Sequence, residues 1–189
     1  MIVAMKKSLD EIRAEIAAVN AEAQKLCAGL TEQQLTWRPQ PGKWSIAENL
    51  AHLNISTQTS LPAIKRSLDE ARSRGLQGTG AFDLGFMGKL FVSYLEPPYK
   101  MKSKAPKMIQ PILQGPATEA LPHFLRCNEA LEKLIDNAEG VDLGRAVFVS
   151  PYARVLRMKL IAAFASVTAH DRRHLWAMGK IREALKSGS

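Results

Sequence analysis

Cysteine and histidine are both scarce in this chain of 189 residues, with two of the first and four of the second. Cys27 and Cys127 stand far apart with no C-x-x-C spacing, which excludes a disulfide framework or a thiolate metal cluster and leaves two free, partly buried thiols as the expectation. Aromatic residues are few, at 6%, and are not interleaved with the basic runs Lys100 to Lys107 or Arg154, Arg157 and Lys159. The net charge of +8 therefore suggests solubility or an anionic ligand, and nucleic acid is not an expected partner. No stretch approaches the roughly 20 apolar residues of a membrane span. The apolar run Met1 to Met5 is short and precedes Lys6-Lys7, the reverse of a signal peptide, so a cytoplasmic chain with no membrane partner is expected.

What is present is helical rhythm. Met5, Leu9, Ile12, Ile16, Val19, Ala23 and Leu26 recur at steps of four and three and predict a helix over about 4–28, ended by Gly29. The connection 30–43 carries Trp37, Pro39, Pro41 and Gly42 and reads as turns. Ser45-Ile46-Ala47-Glu48 is a capping box, which predicts a second helix from Ile46 to about Arg72 with Pro62 as a possible kink. Residues 75–116 are rich in glycine, proline and lysine, with one short amphipathic helix around 84–94. So long a connection is functional or topologically forced, because a crossover lets successive helices run parallel. A third helix begins between Thr118 and Pro122, and a fourth spans about 154–186, with Ala146 to Val149 locally extended between them. Gly179 in the fourth marks a close helix contact or the start of fraying. The expected fold is all-α: one domain over 1–189, a four-helix bundle with a long crossover connection between helices two and three, and no convincing strands.

The chemistry concentrates in His170-Asp171-Arg172-Arg173-His174. Four-residue spacing on a helix brings two imidazoles together on one face, about 5–6 Å apart at Cβ, and both are in phase with the apolar stripe Leu160, Phe164, Val167, Met178, Ile181 and Leu185. Two polar rings on a buried stripe are costly unless they bind something. A catalytic site of the zinc type needs a third protein ligand. His52, mid-helix in an apolar setting, is the better candidate; His123, in a first helical turn, reads as exposed or capping. Phase alone leaves open whether His52 points inward. The outline H-x-x-x-H also resembles a zincin motif with Asp171 in place of glutamate, but no third ligand follows, and Asp171 is expected to pair with Arg172 or Arg173.

The block Pro41-Gly42-Lys43-Trp44-Ser45-Ile46-Ala47-Glu48-Asn49-Leu50-Ala51-His52-Leu53, the prolines of Glu96-Pro97-Pro98 and Lys104-Ala105-Pro106, and His170 to Trp176 together resemble the DinB-like superfamily over roughly residues 5–186. The resemblance implies a four-helix bundle, often a homodimer, with a divalent metal held by His52, His170 and His174, and it turns His52 inward. It also implies a metal-dependent enzyme, a thiol S-transferase or hydrolase in type, working on a low-molecular-weight thiol or other small molecule. Zinc or nickel is the foremost metal candidate. Glu48 and Asp171 are candidates for contacts behind the ligands, and Trp44 and Trp176 for the pocket wall. The alternative is a non-catalytic, metal-stabilised bundle acting as a stress-related binding or scaffold protein.

Overall fold

A computed structural model describes residues 5–98, 105–153 and 155–187. The fold is mainly helical, with helices α1 (Leu9–Cys27), α2 (Glu32–Thr36), α3 (Ile46–Ser73), α4 (Gly85–Leu95), α5 (Ala120–Asp136) and α6 (Leu160–Ser187). Two small antiparallel ladders join them: β1 (Lys6–Lys7) with β2 (Phe82–Asp83), and β3 (Val147–Val149) with β4 (Arg157–Lys159). Lys100, Lys102, Lys104 and Arg154, named above in basic runs, lie outside the described residues.

Helix starts follow side-chain chemistry. Ser8 with Glu11, Thr31 with Gln34, and Ser45 with Glu48 each form a reciprocal capping box, satisfying backbone N–H groups that have no partner inside the helix. The first of these starts α1 at Leu9, later than the apolar rhythm indicated, because Lys6 and Lys7 pair with β2 instead. The second makes α2, a short helix inside a stretch expected to be turns. Gly29, at a φ of 72°, ends α1 in the left-handed conformation that glycine adopts without strain. Pro62 does not interrupt α3. The last helix begins at Leu160, later than expected, because Met158 turns into the core while Arg157 is exposed, the alternation of a strand. No atom lies near the Cβ position of Gly179, so it marks no close contact, and α6 continues past it.

Hydrogen bonds fix the helix directions. On α3 and α5, Asn54 Nδ2 donates to Ala120 O and Arg72 reaches Asn137 O, so the two run the same way. Glu15 meets Thr168 and Arg182 caps carbonyls at Lys25 and Ala28, so α1 and α6 also run together. Arg13 meets Asp136 and Asn20 meets Asn128, so α1 opposes α5. The segment 75–116 is the crossover that permits the parallel α3–α5 pair.

The core is divided along its length. One apolar cluster gathers Ile12, Ile16, Ile64, Leu68, Leu131, Ile135 and Phe164; the other gathers Val19, Leu50, Leu53, Phe124, Leu175 and Met178. Between them on α3, α5 and α6 come the buried polar residues Asn54, Asn128, Thr168 and Asp171. Glu15 is tied into this level by Lys7, by Thr168 Oγ1 at 2.5 Å and by Arg172, which also binds Glu96. Burial alone would raise the Glu15 carboxyl, but these partners hold it below its ordinary range.

Helix α4 lies on α6 at Gly88, where any Cβ would run into the Cβ of Ala162. Gly88→Val is expected to push α4 off α6 and lower stability by about 1–3 kcal/mol, read as a drop in the chemical-denaturation midpoint.

Candidate metal centre

Helices α3 and α6 run antiparallel, which sets Asn49 across from His174 and His52 across from His170. Ring centroids of the three histidines are 5.0 Å apart for His52–His170, 4.6 Å for His52–His174 and 4.8 Å for His170–His174. One nitrogen from each lies within 4.8 Å of the others. His123 is elsewhere, with its Nε2 2.7 Å from the side-chain amide nitrogen Nε2 of Gln58 on α3.

The ring nitrogens are sorted by what each faces. His52 Nδ1 is 2.5 Å from the carbonyl oxygen of Ile109, an atom that can only accept, so Nδ1 carries the proton and donates. His174 Nδ1 is 2.8 Å from Asn49 Oδ1. That amide cannot easily present its other end, because Asn49 Nδ2 donates to Ser45 O at 2.8 Å. His174 therefore also donates from Nδ1. Both rings are left with a bare Nε2, and His52 Nε2 lies 3.2 Å from His170 Nε2. Metal-ligating histidines are oriented in this way, the distal N–H given to a carbonyl and the other nitrogen left as ligand.

Burial keeps the cluster neutral. It depresses His52, against the pull of the Ile109 carbonyl. It pushes His170 down to about 3, helped by His52 and Arg173, and takes His174 well below its ordinary value with the same kind of help from His170, His52 and Arg173.

The other expected residues divide. Trp44 packs on the cluster, its ring 4.8 Å from His52 and 5.8 Å from His174, nearly parallel to the latter. Trp176 instead lies under Lys180 Nζ at 4.2 Å and does not line the cavity at the histidines. Glu48 does not reach a histidine; its carboxylate binds Arg38 and the Ser45 N–H at 2.9 Å, serving the helix start. Burial works to raise it, and Arg38 and Ser45 bring it below its usual range. Asp171 corrects the expectation most sharply. It is buried, both its oxygens lack a hydrogen-bond partner among the described residues, and burial raises its carboxyl far above the ordinary value against the pull of Arg172. Arg172 has turned to Glu15 and Glu96, and Arg173 to Tyr94 O, so neither takes the expected ion pair. Asp171 acts electrostatically on Cys127 of α5. Both thiols are free, and burial pushes Cys27 and Cys127 up to about 11.

A cavity of about 830 Å³ opens onto the three rings. Its walls include Phe91 and Leu95 of α4, Ile109 of the crossover, and Tyr152 and Leu156 of the β3–β4 turn. The Tyr152 hydroxyl donates to Ser56 O at 2.6 Å and stands within reach of Ser56 Oγ and Ser60 Oγ, one and two turns beyond His52 on α3. Sequence reasoning missed Asn49, Ile109, Tyr152 and Arg173 as parts of this site. Asn49 could have been found, since it lies three residues before His52 on the same face. A backbone carbonyl and a turn tyrosine leave no such signal.

A model of the family described as the DinB superfamily matches residues 6–178. The chain belongs to the DinB superfamily. No curated protein and no solved structure matches it. Within this DinB-superfamily chain no helix among the described residues is long and apolar enough to cross a membrane.

Histidines held neutral by burial cost stability when the solution is acidified. Their folded pKa values lie below the unfolded value of about 6.5, so the unfolded chain binds more protons and stability is lost as pH falls below that point. The metal-free protein is expected to unfold at lower denaturant at pH 5 than at pH 7.5. Replacing His52, His170 and His174 together with glutamine should flatten that difference.

Proposed function

We propose that this DinB-superfamily protein is a metal-dependent enzyme acting on a small molecule, of the thiol S-transferase or hydrolase type, with His52, His170 and His174 as ligands to one divalent ion, zinc or nickel. The observation that carries the reading is the paired Nδ1 anchoring: Ile109 O and Asn49 Oδ1 each accept a hydrogen bond from an imidazole Nδ1–H, which leaves that ring's Nε2 bare. The bare Nε2 of His52 lies 3.2 Å from His170 Nε2, a separation that a shared proton or a cation between the rings satisfies. Three neutral nitrogen donors suit zinc and nickel alike.

When bound, such an ion supplies a Lewis-acid centre for a water or a thiol. The protein's own residues do the rest. Trp44 packs against the rings, α4 side chains line the cavity beside them, and Tyr152 offers a fixed hydroxyl in its wall. A cavity of about 830 Å³ reaching the ligands favours catalysis over a scaffold role, in which the ion's surroundings would be closed. We read α1, α3, α5 and α6 as the four-helix bundle that holds this centre, and a cytoplasmic homodimer as the working form.

The test is elemental analysis of protein purified without a histidine tag. About one equivalent of a divalent metal per chain is expected, falling to background in a His170→Ala, His174→Ala double variant. Metal content that survives the double substitution overturns the proposal. Asn49→Ala, which frees the His174 ring, should weaken metal affinity about 10–100-fold without abolishing binding, measured by competition with a chelating dye.

A further inference from the structure

The charged side chains along the cavity are Lys43, Arg173 and Lys180, all cationic; among the described residues no carboxylate lines it. The nearby acids are turned elsewhere, Glu48 to Arg38 and Ser45, Glu96 to Arg172, and Asp171 into the polar level of the core. Lys43 and Lys180 are exposed and mark the mouth. Arg173 is different in kind. The residue is 9% exposed, its Nη1 donates to Tyr94 O at 2.9 Å, and its guanidinium lies 5.3 Å from the Tyr94 ring. Helix α6 thus holds a fixed cation in a wall that also carries His170 and His174, and its charge is felt by both rings.

A guanidinium removed from water interacts strongly with an anion, and its planar fork matches a carboxylate in a way that an ammonium does not. Much of the cavity wall is apolar, with Phe91, Leu95, Ile109, Leu156 and Val167 among its lining. We propose that the cavity binds a small organic anion, with a carboxylate-like group seated on Arg173 beside the histidines and an apolar body along α4 and the β3–β4 turn. Lys43 and Lys180 raise the local concentration of such anions at the mouth. This deepens the reading of the same cavity as the working site, and names the substrate class, but the arginine seat exists with or without a metal.

The experiment titrates the whole protein with 4-phenylbutyrate and, separately, with its uncharged amide, by calorimetry. Each titration is run on zinc-loaded and on chelator-stripped protein. The carboxylate is expected to bind about tenfold or more tighter than the amide in both forms. Arg173→Gln should abolish that preference in protein that still takes up zinc, and Arg173→Lys should restore only part of it. Equal binding of the two probes to stripped wild-type protein, or no binding of either, overturns the proposal, as does a preference that survives Arg173→Gln. A preference seen only with zinc places the anion on the metal: the arginine seat then fails and the metal reading stands. A preference in protein that takes up no zinc does the opposite.

Discussion

His52 and His174 each donate a hydrogen bond from Nδ1–H to an oxygen that can only accept, one on the backbone of the crossover and one on a side chain a turn into α3. Rings so anchored lose rotational freedom and have one nitrogen each to offer. The antiparallel packing of α3 on α6 then brings those nitrogens to a common point. Neither contribution suffices alone. Helix packing without the anchors would leave the tautomers undetermined, and anchors without the packing would orient rings toward nothing.

The two anchors explain features that look unrelated. The Ser45 capping box starts α3, and Ser45 O also fixes the amide of Asn49, so the helix start and the orientation of His174 share one residue. The crossover has a topological task, carrying the chain so that α5 can run alongside α3. It also supplies Ile109, whose carbonyl comes from a 3₁₀ turn at Lys107–Ile109 against α3. The length of this connection is thus both forced and used. At the same level of the core, apolar packing gives way to Asn54, Asn128, Thr168 and Asp171, so the site sits where the two hydrophobic clusters part.

Much of this was legible in the sequence, for definite reasons. The histidines announced themselves because imidazoles in phase with an apolar stripe have to be accounted for, and α3 because its capping box is a local signal. The Ser8–Glu11 box carried the same kind of signal for α1, where apolar rhythm alone set the start too early. Strand β4 was hidden because three residues cannot show a period, and its pairing with β3 depends on a turn between them. Asp171 was misassigned since sequence gives neighbours along the chain, whereas its surroundings come from α5 and its basic neighbours are engaged by Glu15, Glu96 and Tyr94 O. Ile109 contributes an atom that every residue possesses.

The polar contact between His52 and His170 joins positions 118 apart in the chain. A loop of that length is slow to close and gains nothing until its ends meet. Without α6 in place, α3 displays a solitary imidazole with no counterpart, so the site exists only where distant parts of the polypeptide meet, and any ion gripped there would clamp them together.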